Sequence, residues 1–293
     1  MRDDIEDLAR SVLERRAILF VGAGVSMVVG LPSWQELIDH MMDELGLEIE
    51  GEQGRALGHP ILAEYYRLRH GSIGPLRSWM DREWKVSEER VRDSRIHQLI
   101  VELDFPMIYT TNYDRNLEVA YELAQRPFAK IANARDLTFV KLDDTQIVKF
   151  HGDFDDDDSL VLTESDYFSR LSFDSPLDVK FRADAMSRTL LFIGYSMQDL
   201  NIRLLLHRIW ETWTRSAYER SRPPSYVFLP RAGPAQEAVL NRWGITVLTS
   251  RIADPEGALT DFLERLAARV GELRSEQAGE RIGTGARKAR SQG

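Results

Sequence analysis

Six short segments of the chain, residues 17–21, 106–110, 146–150, 190–193, 226–229 and 245–248, are almost continuously apolar and rich in β-branched or aromatic side chains. An amphipathic strand alternates apolar with polar residues. A run apolar at every position is instead what a strand covered on both faces requires. Stretches of helical periodicity separate the runs, as in residues 5–16, where Ile5, Leu8, Val12 and Leu13 share one face. Strands alternating with helices read as βαβ units. The fold class expected is α/β, a Rossmann-like, mainly parallel sheet with helices on both faces.

One interval departs from this rhythm. Between the first strand and Pro106 lie more than eighty residues with almost only helical signal. Ser33 and Glu36 have capping-box spacing, Trp34, Leu37, Ile38, Met41, Met42 and Leu45 form an apolar stripe, and Gly46 is placed to stop the helix. Residues 61–69 and 88–103 also read as helices. Residues 34–103 are therefore expected to form a helical insertion over the carboxyl edge of the sheet. Residues 1–273 are expected to make one domain, ended by a helix carrying Leu259, Phe262, Leu263, Leu266, Val270 and Leu273. From 274 to 293, Gly, Ser, Gln and Arg dominate and apolar content almost vanishes, which predicts a flexible tail.

Composition excludes several functions. With 47 acidic and 38 basic residues the net charge is −9, which argues against a surface built to coat nucleic acid. The absence of cysteine removes disulfides, thiolate zinc sites and a cysteine nucleophile. No apolar run reaches the ~20 residues of a membrane span, and Met1-Arg2-Asp3-Asp4 does not open a signal peptide. The location expected is the cytoplasm.

Polar residues appear abruptly where four apolar runs end. The first run leads into Gly22-Ala23-Gly24-Val25-Ser26. Gly-x-Gly after a strand lets backbone approach a pyrophosphate and present N–H donors to it. Position 27 is methionine, so the three-glycine fingerprint of dehydrogenases is absent, and a plain tight turn is the other reading. The second run ends in Thr110-Thr111-Asn112-Tyr113-Asp114, where Asp114 is either a ligand contact or a helix cap. The third ends in His151-Gly152, followed by aspartates 155–158, which read as a solvated loop before a metal site. The fourth ends in Gly194-Tyr195-Ser196, with Asp199 close behind; a nucleotide contact and a strand–helix turn capped by Ser196 or Asp199 both fit. In an open α/β sheet such loops converge on one edge, where ligands bind.

Together these segments resemble the sirtuin family of NAD-dependent enzymes. The family's Gly-Ala-Gly-x-Ser stands as Gly22-Ala23-Gly24-Val25-Ser26, followed by Gly30-Leu31-Pro32; its Thr-Gln-Asn-Ile-Asp stands as Thr110-Thr111-Asn112-Tyr113-Asp114. Its His-Gly stands as His151-Gly152, and its Gly-Thr-Ser as Gly194-Tyr195-Ser196, in the same order across 17–200. The four-cysteine zinc module of the deacylases is absent. Their peptide-pairing segment is replaced by the acidic run and residues 160–167, which argues against an acyl-lysine groove.

What remains is similar to the sirtuin-like branch of prokaryotic antiphage systems, in which the domain hydrolyses NAD. The resemblance implies NAD as substrate and no metal. Gly22, Ala23, Gly24 and Ser26 would cradle the pyrophosphate. Thr110 and Asp114 would lie against the cofactor, with Asp114 seating the carboxamide. Gly194, Ser196 and Asp199 would hold the adenosine side. Asn112 would orient the ribose and water, and His151, with a pKa near neutrality, would accept a proton. Asn112 and His151, both at strand ends, are expected to contribute little to stability. A protein deacylase and a module that senses NAD or ADP-ribose without cleaving it are the alternatives. The resemblance also implies a homo-oligomer and a separately encoded partner such as a HerA-type ATPase, because the domain, its insertion and its tail use up the chain and leave no sensor.

Overall fold

The computed structural model describes residues 2–47, 52–141, 143–156, 159–197 and 199–290. Seven strands form one sheet: β1 (Ala17–Val21), β2 (Met107–Thr110), β3 (Phe128–Ile131), β4 (Thr145–Lys149), β5 (Thr189–Ile193), β6 (Ser225–Phe228) and β7 (Ile245–Leu248). Their order is β3-β4-β2-β1-β5-β6-β7, and every pairing is parallel. The chain builds one half of the sheet outward from β1, then crosses to build the other from β5. Six of the seven strands are the apolar runs of the sequence. The seventh, β3, lies at an edge with three of its four residues only half-buried, so its sequence carries no continuous apolar signal.

Successive side chains of β1 face opposite ways and enter two different cores. Leu19 and Val21 pack with the helices Arg2–Leu13, Arg95–Glu102, Asn116–Leu123 and Pro255–Arg290. Ile18 and Phe20 pack with Pro176–Ser187, Leu200–Thr214 and Pro234–Arg242. A third core, separate from both, joins the helices Trp34–Leu45, Glu52–His70 and Gly74–Glu83. It also takes in Tyr113, which follows β2, and Leu160 and Leu162, which follow β4. The insertion therefore sits over the carboxyl ends of those strands. Its first helix has the expected capping box, with Ser33 accepting from the Glu36 N–H, and ends at Gly46 in the left-handed region at φ 61°.

The interval 88–103 is not one helix. Ser94 breaks it and caps the second part, Arg95–Glu102, by accepting from the His97 N–H. That part buries Ile96, Leu99, Ile100 and Val101 in the same core as β1, so of the interval 34–103 only the helices up to Glu83 build the separate cluster. At the other end, the last helix continues from Pro255 to Arg290, through the segment that composition predicts to be a flexible tail. Residues 274–278 are exposed and gain no tertiary support, but Ala, Glu, Gln and Arg are strong helix formers.

Candidate active site

The loops after β1 and β5 press backbone against backbone. The Gly22 N–H donates to the Ile193 carbonyl and the Gly24 N–H to the Gly194 carbonyl, each at 2.9 Å. A Cβ on Gly22 would lie 2.3 Å from the Tyr195 ring and 2.4 Å from the Gly194 oxygen. Gly194 itself stands at φ 62°, in the left-handed region that favours glycine. The glycines thus allow two strand ends to meet, and two donors that the sequence suggests for a pyrophosphate are already engaged. Ser26 is buried, and its hydroxyl accepts from Asn112 Nδ2.

Asn112 ties the second loop to the first. Its Nδ2 donates to the Gly22 carbonyl and to Ser26 Oγ, both at 3.1 Å. Its own N–H donates to Thr110 Oγ1 at 3.0 Å, while that hydroxyl donates to the Val21 carbonyl at 2.9 Å. Thr110 is therefore an internal brace between β1 and β2, 1% exposed. Asp114 uses Oδ1 to accept from the Asn116 N–H at 3.0 Å, which holds the start of helix Asn116–Leu123. Its Oδ2 is buried with no hydrogen-bond partner among the described residues. Capping and ligand contact, alternatives in the sequence, are open to the two oxygens separately.

His151 follows β4 and is 2% exposed. Its Nε2 lies 3.7 Å from Asp199 Oδ2 and makes no hydrogen bond among the described residues. Burial lowers its pKa to about 4, against the opposing pull of Asp199. The imidazole is therefore neutral near pH 7 and not the half-protonated group expected from sequence. Asp199 N-caps helix Leu200–Thr214, its Oδ1 accepting from the Ile202 N–H at 3.0 Å. Its other oxygen faces the histidine. Ser196 is exposed, and its carbonyl accepts from Gln236 Nε2 at 3.0 Å. The aspartate run is split: Asp155 pairs with Lys130 at 2.5 Å and Asp156 accepts from Asn133 at 2.8 Å, while positions 157 and 158 lie outside the described residues.

Two residues that sequence reasoning passes over complete the site. His59 sits at a break in the helix Glu52–His70, between Gly58 at φ 74° and Pro60. Its ring stacks on Trp34 with centroids 4.4 Å apart, and its Nε2 is 3.3 Å from the Tyr167 hydroxyl. Tyr167 meets both His59 and His151 edge-on, at 5.9 and 5.5 Å. Burial lowers His59, like His151, to about 4. The Gly58-His59-Pro60 punctuation is the one local signal that could have drawn attention to this position. Beside the cluster opens a small pocket lined by Ala23, Leu31, Pro32, Trp34, Trp84, Asn112, Tyr113 and Asp114. Two indoles with a buried carboxylate oxygen suit a flat aromatic ring that carries an amide.

Residues 106–248, which carry the Asn112, His151 and Asp199 loops, match the family described as SIR2-like domain. The chain carries a SIR2-like domain. It is 30% identical over 229 residues to NAD(+) hydrolase ThsA of Bacillus cereus (strain MSX-D12), covering 78% of this chain and 46% of that protein. Over 209 residues it is 31% identical to the protein of the same name from Enterococcus faecium, covering 70% and 42%. Against Defense-associated sirtuin 2 of Bacillus subtilis the identity is 24% over 274 residues, 90% of this chain and 26% of that protein. The SIR2-like chain thus spans less than half the length of the curated relatives it matches. Among its described residues no helix is long and apolar enough to cross a membrane. Nor do the described His, Asp and Glu side chains include a group of three or more able to hold a metal ion.

Proposed function

We propose that this SIR2-like chain hydrolyses NAD⁺ at the nicotinamide–ribose bond, giving nicotinamide and ADP-ribose, and that it does so in antiphage defence. The observation that carries the reading is a buried His151 with Asp199 3.7 Å away, linked through the rings of Tyr167 and His59 to Trp34, which lines one pocket together with Trp84 and Asn112. Cleavage of NAD⁺ expels nicotinamide as a neutral molecule, so the leaving group needs no acid. The ribose gains positive charge in the transition state, and water must arrive on its open face. In this reading nicotinamide lies against Trp34 and Trp84, with the free Asp114 Oδ2 accepting from its carboxamide. Asn112 holds the ribose side, and His151 Nε2 takes a proton from the ribose hydroxyl or the water. Asp199, 3.7 Å from that nitrogen, stabilises the imidazolium that forms by its opposite charge.

The relatives named NAD(+) hydrolase support this reading. The test is nicotinamide release from NAD⁺ by the purified chain and by His151→Ala. The variant is expected to lose about 10²–10⁴ in rate, and a folded variant at the parental rate would refute the role of His151. Incubation with an acyl-lysine peptide separates the deacylase reading, and ligand binding without nicotinamide release separates the sensing one.

The same proposal places the chain in the cytoplasm, where its substrate is, as a homo-oligomer controlled by a separately encoded protein such as a HerA-type ATPase. An unrestrained NAD hydrolase would deplete its own cell, and assembly is one means of holding it off. Light scattering on the isolated chain, paired with turnover, tests this; a monomer with full activity would refute it.

A further inference from the structure

Directly beneath the catalytic loops lies a charged cluster that the proposed chemistry does not use. Lys149, the last residue of β4 and two positions before His151, is 0% exposed. Its ammonium donates to the main-chain carbonyl of Asp114. It also lies 3.4 Å from Glu118 Oε1 and 3.9 Å from Asp153 Oδ2, both carboxylates being 1% exposed. Lys130 approaches the same Asp153 oxygen from the other side at 3.4 Å. Both Glu118 oxygens, Asp114 Oδ2, Asp153 Oδ2 and Asn116 Nδ2 are buried without hydrogen-bond partners among the described residues. Burial holds the Glu118 carboxyl above the usual range, against the pull of Lys149.

Such a cluster is a poor way to stabilise a fold. Each buried charge is costly to desolvate, and apolar side chains of similar volume commonly stabilise as well or better. What an apolar pair cannot supply is a donor aimed at the Asp114 carbonyl. That carbonyl belongs to the loop that carries Asn112, two residues earlier, and the Lys149 backbone leads directly to His151. The register reinforces the link: Lys149 pairs with Thr110, and the Phe150 N–H donates to the Thr110 carbonyl at 2.7 Å. One ammonium therefore joins the two loops whose side chains would flank the reacting ribose.

We propose that Lys149 is a positioning residue, which fixes the loop of Asn112 and Asp114 against the loop of His151 through its bond to the Asp114 carbonyl. The inference rests on the reading of this site as an NAD hydrolase. Its claim about the loops also has a readout of its own.

Lys149→Met strands buried carboxylates and is expected to destabilise the chain. Lys149→Met/Glu118→Met removes the closest pair together and should recover the thermal midpoint. Its kcat for nicotinamide release should nevertheless stay down on the order of 10²-fold, with KM little changed, as misplacement of reacting groups produces. Amide hydrogen exchange across residues 111–116 should rise in the same double variant. Glu118→Gln, which leaves the bond to Asp114 in place, should keep both kcat and exchange near parental values. A double variant with parental kcat and parental exchange would overturn the proposal. So would a Glu118→Gln variant as impaired as the double one. If the parental chain releases no nicotinamide, the hydrolase reading fails; the exchange comparison then decides the loop tie alone, and unchanged exchange in the double variant overturns it.

Discussion

Replacing Asn112 with alanine should destabilise this protein by about 2 kcal/mol, more than its place at a strand end suggests. In the structure the side chain is 8% exposed and bridges two loops by donating to the Gly22 carbonyl and to Ser26 Oγ, each at 3.1 Å. Alanine removes both donors at once. The Gly22 carbonyl keeps the Val25 N–H at 3.1 Å, so it is weakened without being orphaned. Ser26, 2% exposed, loses the amide that its oxygen accepts from. One buried group left unsatisfied costs about 1–3 kcal/mol, and a partly satisfied second adds less, which gives the figure of about 2. For a chain of this size each kcal/mol moves the thermal midpoint by about 2–3 °C, so a fall of about 4–6 °C is expected. Thermal unfolding followed by circular dichroism measures it. Asn112→Asp should lower the midpoint at least as far, because its carboxylate has no proton to give the Gly22 carbonyl. If both variants melted within about 1 °C of the parent, the bridge between the loops would not exist in solution. Loss of activity in Asn112→Ala would then be a purely chemical effect.

His59, His97 and His151 all have pKa values lowered to about 4, chiefly by burial. In the unfolded chain each binds its proton near pH 6.5, so unfolding takes up protons between about pH 6.5 and 4, and stability should fall as pH drops through that window. Thermal midpoints at pH 7, 6 and 5 check this; a flat profile would refute the burial of these rings as neutral groups. By the same reasoning, the acid limb of kcat/KM for nicotinamide release should lie nearer pH 4 than pH 6.5. A limb centred on 6.5 would remove His151 as the buried base. Finally, NAD⁺ cleavage should persist in EDTA, and complete loss restored by Mg²⁺ or Ca²⁺ would make the loop of Asp155 and Asp156 a metal site.

The sequence alone determined the class of fold, because a strand covered on both faces must be apolar at nearly every position. Six strands carried that mark, and β3 did not, since an edge strand with half-buried residues is under no such demand. The four polar loops were legible for a related reason: polarity beginning at once where an apolar run stops marks the edge of a sheet. The use of each side chain in those loops was not legible, because it depends on what another loop brings near. Whether the Gly22 and Gly24 N–H groups face a ligand or the β5 loop is set by the packing of two strand ends more than 160 residues apart in the chain. Asp199 carries a sequence pattern for capping, and only the fold turns its second oxygen toward His151. His59 and Tyr167, 108 positions apart, meet because the third core seats the insertion over the sheet. The pKa of His151 belongs to the tertiary structure for the same reason. Local sequence places an imidazole after a strand, but exclusion of water, which takes it to about 4, is the work of every element packed around it.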